Sequence, residues 1–355
     1  METYKDFAFA LQYFFKDYLV KECGASHNTI RSYRDTFVQF IDFMHIQHKT
    51  TPDKITFEII NKDLIVDFLE WLQNNKKCGS RTRNQRYAAI RSFFRYMLYI
   101  DPVHLSQWKI ICSLKLAREK KDAIKYLSVK GVKCLLEQIN MKTCKGRRDL
   151  TMLSLLYNSG ARVQELIDLT PLSVRRSKPY CIELIGKGSK KRIVPLEETM
   201  MKLLISYMEE NRLNMPGMEH HPLFFNAWGS KLTNPGITYI LQKYVVEVKK
   251  IEPELIPQNI SPHILRHSRA MHLLQAGVNL VYIRDILGHV SIQTTEIYAR
   301  ADSKSKQIAL EKAYVYILIK KYPTFQSKSI PLTNLNGTTS FITNDKYVYK
   351  TGDYN

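Results

Sequence analysis

The first hundred residues repeat apolar positions every three or four places, the period of helices with one buried face. Phe7, Leu11, Phe14, Phe15, Tyr18 and Leu19 form one stripe. Ser26 stands where an N-cap belongs, ahead of a second stripe at Ile30, Tyr33, Phe37, Ile41 and Met44. Ile60, Leu64, Phe68 and Leu72 predict a third helix, and Tyr87, Ile90, Phe94 and Met97 a fourth. Asp101-Pro102 ends the last one, because a proline ring disfavours helical backbone in the residue before it. Four amphipathic helices with short joints read as a bundle. The fourth also carries Arg81, Arg83, Arg86, Arg91 and Arg95.

The period is lost over residues 103–125, which read as a linker. Lys115, Arg118, Lys120, Lys121 and Lys125 stand there against Glu119 and Asp122 alone. From 126 to 320 the helical pattern resumes, with one interruption. Tyr180–Ile185 and Arg192–Pro195 are extended runs around Gly186-Lys187-Gly188-Ser189-Lys190-Lys191, a hairpin signal with glycines at the bend. Residues 321–355 are turn-rich, with Asn336-Gly337, Asn344-Asp345, Phe341-Ile342 and Tyr347-Val348-Tyr349, and read as a short hairpin or a flexible tail. No internal repeat is visible.

A chain of 355 residues suggests two or three domains. Its net charge of +20 points to an anionic partner, nucleic acid first. The excess is uneven: +4 over residues 1–110 and +16 over 111–355. Cysteines 23, 78, 112, 134, 144 and 181 show neither a C-x-x-C pair nor zinc spacing, and no signal peptide precedes them, so reduced thiols in a cytoplasm are expected. No apolar run reaches the ~18 residues of a membrane span.

The chemistry-bearing residues lie in the second half. Arg162 follows Gly160-Ala161 at an expected helix start; Glu165 follows Arg162 by one turn and is expected to orient it. Lys187 stands at the hairpin bend, with Lys190, Lys191 and Arg192 beside it. His263 and Arg266 are three residues apart and share a helix face. Leu287-Gly288-His289 precedes Tyr298 by nine residues. Arginines offer forked donors to phosphate, histidine and lysine move protons, and tyrosine can be a covalent nucleophile. His263 and His267 have a zinc spacing, but Ile264 stands where a metalloprotease glutamate would be, so no metal is expected and His267 reads as a buried supporting residue. No GK[ST] of a nucleotide-binding loop accompanies Lys187.

Arg162, Lys187, His263-x-x-Arg266, Leu-Gly-His289 and Tyr298, in this order and at these spacings, resemble the tyrosine recombinases of the phage integrase and Xer-like group. The resemblance runs over about residues 5–315. It implies a mainly α (α+β) two-domain DNA clamp: a helical, SAM-like core-binding domain (1–105), a basic linker (106–125), a catalytic domain with a small antiparallel sheet (126–320) and a tail (321–355). It makes Tyr298 the nucleophile, Lys187 the general acid, and Arg162, Arg266, His263 and His289 the phosphate-binding and proton-handling set. Tyr282, expected to pack beside Ile283, and Tyr314 are the competing tyrosines. Arg81, Arg83, Arg86, Arg91, Arg95, Lys120, Lys121, Lys125, Lys190, Lys191 and Arg192 are expected on the DNA backbone.

By the same resemblance, the enzyme cuts and rejoins double-stranded DNA at recombination sites through a 3′-phosphotyrosyl bond. It does so as a homotetramer with Holliday-junction exchange, without cofactor, in a bacterial cytoplasm at the nucleoid; there is room for accessory DNA-bending or directionality factors. The chain starts close to the core-binding domain, which groups it with Xer-like or transposon-type enzymes rather than with larger phage integrases. Residues 303–322, apolar at Ile308, Leu310, Ala313, Val315, Leu318 and Ile319, are expected to dock on a neighbouring protomer. Two alternatives remain: type IB topoisomerase activity, which shares this chemistry and is detectable as relaxation without recombinants, and a non-catalytic DNA-binding regulator on the same fold, which a missing Tyr or Arg would have suggested.

Overall fold

The computed structural model describes residues 6–119 and 124–301, apart from the side chain of Lys187, together with the backbone of three strands near the C-terminus. The chain divides into two compact units, residues 1–122 and 123–355.

The first unit consists of helices α1 (Phe7–Tyr13), continued by a π-helical stretch to Glu22, α2 (His27–His48), α3 (Lys62–Asn74), α4 (Ser80–Ile100) and α5 (Leu105–Cys112). Ser26 caps α2 by accepting the amide of Thr29. The apolar stripes meet as an aromatic core. Phe93 packs edge-on against Phe14 at 5.3 Å, and Phe40 against Phe68 at 5.2 Å, geometries that place ring edges on ring faces.

Helix α5 corrects the linker reading. Its Trp108 is fully buried, stacks on Phe94 at 4.8 Å and donates its indole N–H to Asp101. Tyr87 donates to the carbonyl of Ile111, and the Asn84 side chain both donates to and accepts from the backbone of Ala117. The chain therefore stays attached to the bundle well past residue 105. Arg86 also departs from expectation: it donates to the Ser32 carbonyl and to Thr36, bracing α2 rather than standing free. Arg81 and Arg95 are exposed.

The second unit contains α6 (Val129–Glu137), α7 (Cys144–Ser159), α8 (Val163–Ile167), β1 (Val174–Arg175), β2 (Cys181–Ile185), β3 (Lys191–Pro195), α9 (Glu198–Glu210), α10 (Asn234–Ile251), α11 (His263–Gln275), α12 (Leu280–Leu287) and α13 (Gln293–Ala301). Helix α7 is apolar around most of its circumference, with Met152, Leu153, Leu155 and Leu156 all buried, so it runs through the middle of the core. The three strands form an antiparallel sheet in the order β1-β2-β3, with Cys181 opposite Pro195 and Ile185 opposite Lys191. The two-residue β1 gave no periodic signal in the sequence.

Towards the C-terminus, β4 (Pro331–Thr333), β5 (Thr339–Thr343) and β6 (Lys346–Val348) pair antiparallel, β5 and β6 flanking Asn344-Asp345. Lys120, Lys121 and the apolar segment 303–322, with Tyr314, lie outside the described residues. Among the described residues no helix is long and apolar enough to cross a membrane.

Candidate active site

The site assembles on the C-terminal end of α12. Gly288 adopts the left-handed conformation (φ 64°) that stops this helix. A helix end leaves carbonyls without partners and carries partial negative charge. Here three guanidiniums take three consecutive carbonyl oxygens. Arg192 Nε donates to Ile286 at 2.9 Å, Arg266 Nη2 to Leu287 at 2.6 Å and Arg162 Nη2 to Gly288 at 3.1 Å. The arginines come from β3, from α11 and from the N-cap of α8, so one helix end gathers three distant stretches of sequence.

Glu165 locks the arrangement from behind. Its carboxylate accepts from Arg162 Nη1 at 2.7 Å and from both terminal nitrogens of Arg192 at 2.7 and 2.6 Å, and it caps α8 through the Arg162 amide. Burial alone would push this acid up. Hydrogen bonds from Arg192 and Arg162 outweigh burial and hold it at about 2. Glu165 thus orients Arg162, as its position one turn on suggests, and it holds Arg192 as well. Arg192 is therefore engaged within the protein and is not free on the surface as expected: it shares the inward side of β3 with buried Val194. Lys191, on the other side, is exposed and pairs with Glu183, while Lys190 is exposed.

Close packing enforces the geometry. A Cβ on Gly288 would sit 2.9 Å from Arg192, and one on Gly160 2.8 Å from Leu287; both glycines also have positive φ. Gly160 further offers its carbonyl to Arg266 Nη1 at 2.6 Å. Arg266 is buried. Burial, and after it the charge of Arg162, lowers its guanidinium to about 10, so it stays a cation at neutral pH.

Two imidazoles complete this wall. Burial and then Arg266, Arg162 and Arg192 lower His289 to about 4, leaving a neutral ring. Thr295 Oγ lies 2.9 Å from His289 Nδ1; with that hydroxyl donating, the ring proton resides on Nε2 and is available to a ligand oxygen. His263 opens α11, and burial together with Arg266 and Arg162 lowers it too.

Tyr298 reaches the same wall from α13. Its ring is 1% exposed, within an apolar cluster of Ala270, Met271, Ile283 and Leu287, and stacks parallel to His289 at 6.4 Å. Its hydroxyl lies 2.9 Å from His267 Nδ1. Burial raises the phenol above its ordinary value, against a weaker opposing pull from Arg266 and Arg162. Tyr282 does not pack beside Ile283 but is 66% exposed. Lys187 lies on a single turn between β2 and β3, and its side chain is outside the described part of the structure.

The fold therefore gathers Arg162, Arg266, His263, His289 and Tyr298. Sequence reasoning missed Thr295, the inward Arg192 and the contact of His267 with Tyr298. The alternation of Arg192 with Val194 and the four-residue step from His263 to His267 were the available signals. Among the described residues no cluster of His, Cys, Asp and Glu could hold a metal ion.

Two arginines braced by one carboxylate, with a buried third arginine and a buried tyrosine beside them, define a class, and sequence comparison agrees with it. Residues 125–305 match the phage integrase family, and residues 14–99 match the phage integrase N-terminal SAM-like domain. The tyrosine recombinase XerD of Listeria innocua is 33% identical over 80% of this chain and 91% of its own length. The tyrosine recombinase XerC of Myxococcus xanthus is 30% identical over 84% of this chain and 96% of its own. In fold, the chain is similar to the XerH site-specific recombinase bound to a difH substrate (TM-score 0.65, 21% identity, 81% of this chain and 80% of that one). It is equally similar to the Tn1549 transposon integrase with transposon-end DNA (TM-score 0.66, 17% identity, 85% and 98%). The chain belongs to the tyrosine recombinase family of site-specific recombinases, on its Xer-like side.

Proposed function

We propose that this enzyme exchanges DNA strands through a phosphotyrosine made on Tyr298. Arg162 and Arg266 would hold the non-bridging oxygens of one phosphate, where charge accumulates as phosphorus becomes five-coordinate. His289 Nε2 and His263 would add donors to the same oxygens. Lys187 would protonate the departing 5′-oxygen. The resulting 3′-phosphotyrosyl ester stores the energy of the broken bond, so a 5′-hydroxyl of the partner duplex can rejoin the strand without nucleotide hydrolysis. Pairs of strands would exchange through a Holliday junction within a homotetramer at the bacterial nucleoid, with accessory factors acting outside this chemistry.

Double-stranded DNA as the partner is supported by the charge excess and by exposed Arg81, Arg95, Lys115, Arg118, Lys125 and Lys190. The observation that carries the reading is the packing of Tyr298 against His289, next to the carbonyls of Leu287 and Gly288 that hold Arg266 and Arg162. Tyr298→Phe keeps the ring and removes only the attacking oxygen. Covalent protein–DNA adducts on a recombination site should vanish while the binding isotherm stays within about fivefold of the parent, since loss of one neutral hydrogen bond is worth only ~1 kcal/mol. An adduct formed by the Phe variant would refute the assignment.

A further inference from the structure

In this scheme the proton on Tyr298 has no destination. Lys187 serves the leaving oxygen, and burial keeps the phenol protonated. A nucleophile with a raised pKa needs a base within hydrogen-bond reach.

We propose that His267 is that base, taking the phenolic proton on Nδ1 as the oxygen of Tyr298 attacks phosphorus. The proposal rests on Tyr298 being the nucleophile. Nδ1 lies 2.9 Å from the hydroxyl, and the two rings meet at 5.8 Å. The placement follows from helical geometry. Successive residues on α11 point about 100° apart, so Arg266 turns to the end of α12 while His267 turns to α13.

The surroundings fit an acceptor. His263 and Arg266 on the same helix face it, as do Tyr298 on α13 and His289 at the end of α12, with Arg162 and Arg192 behind His289. Burial first, then His263 and Arg266, depress its pKa, so the ring is neutral at neutral pH. With the ring proton on Nε2, the Nδ1 lone pair faces the phenol. Two rival groups are committed elsewhere, and the third, His263, makes no hydrogen bond to the hydroxyl among the described residues, whereas His267 does. His289 has its Nδ1 on Thr295, and Glu165 is held by Arg162 and Arg192.

The step balances. The tyrosine oxygen–phosphorus bond forms and the phosphorus–O5′ bond breaks. The phenolic proton moves to His267, which becomes imidazolium, and the Lys187 ammonium gives its proton to O5′. Rejoining reverses both transfers: the 5′-hydroxyl returns a proton to Lys187, and His267 returns one to the departing phenol.

The test uses the full chain on a nicked substrate that traps the covalent adduct. His267→Asn keeps an acceptor oxygen but cannot take up a proton. It should slow adduct formation on the order of 10²-fold, with DNA affinity and melting temperature unchanged. The rate should be flat around neutral pH in the parent, falling on acidification as His267 protonates, and should climb with pH in the variant. Placing 3,5-difluorotyrosine, a more acidic phenol, at position 298 should restore most of the variant's rate. An unslowed Asn variant, or a loss indifferent to both pH and the fluorinated phenol, would reduce His267 to a packing neighbour.

If the Asn variant proves unstable, the fluorinated phenol in the parent decides alone. A base that already removes the proton leaves the rate nearly unchanged, whereas a tenfold rise would mean that none acts. Neither outcome bears on whether Tyr298 forms the adduct, which Tyr298→Phe answers separately.

Discussion

The arginine side and the tyrosine side of this site are held by contacts of different strength. Arg162, Arg192 and Arg266 are fastened by charge-assisted hydrogen bonds to Glu165 and to the carbonyls of residues 160 and 286–288. Such bonds contribute about 1.5–3 kcal/mol each. Tyr298 is fastened by a small apolar cluster and one bond between neutral groups, worth about 1 kcal/mol. The arginine side is thus formed before any ligand arrives; in the proposed reaction this would remove reorganisation from the chemical step. Tyr298, the proposed nucleophile, rides on the nine-residue α13, whose position costs far less to change. Rigidity sits where charge must be met, and adjustability where a bond must be made.

The largest disturbance should come from Glu165→Ala. It leaves two arginines without their shared counter-charge in a buried place, a change that costs about 3–5 kcal/mol. The melting temperature of the full chain should drop by several degrees and cleavage should fall with it. A stable, active alanine variant would mean that the carbonyls alone suffice.

Acid should loosen the same side next. Glu165 has a depressed pKa in the folded state, so its stabilisation is complete above the ordinary carboxylate range and fades as pH falls towards about 2. His289 is held neutral down to about 4. Below the ordinary histidine value of ~6.5 the unfolded chain binds a proton that the folded one refuses, and stability falls there too. The combined loss is on the order of 3 kcal/mol or more by pH 4. Unfolding monitored between pH 7 and 4 should show Tm falling from about pH 6.5 downwards. A flat profile would mean that His289 is charged in the folded protein.

The smallest effect should be Thr295→Val, on the tyrosine side. It removes one neutral bond to His289, about 1 kcal/mol, and lets the ring proton return to Nδ1. Cleavage should slow about tenfold while Tm falls by no more than about 2–4 °C. A loss as large as that of Glu165→Ala would erase the contrast between the two sides.

Much of this was legible without coordinates. The stripes through Phe14, Phe37, Phe68 and Phe94 are the aromatic core of the first unit because a helix with one apolar face must bury it. Arg162, Arg266, His289 and Tyr298, singled out by type, order and spacing, lie together in the fold. What stayed hidden depended on pairings across long stretches of chain. Helix α5 is short, and only Trp108 and Ile111 of it are buried, so its stripe was too brief to see. Arg192 reads like its exposed neighbours Lys190 and Lys191 until β3 pairs with β2 and fixes which alternate residues face inward. His267 could be assigned a phenol only once α11 and α13 were set side by side.

The capped end of α12 sets a rule of measure. Each added or deleted residue turns a helix end by about 100° and shifts it 1.5 Å. One such change between Leu280 and Leu287 would swing the carbonyls of residues 286–288 away from all three arginines together, and His289 with them. Side chains on its outer face, such as the exposed Val281 and Tyr282, can vary without touching this register. The helix therefore works as a gauge block: its length, more than its composition, is the dimension to which the site is built.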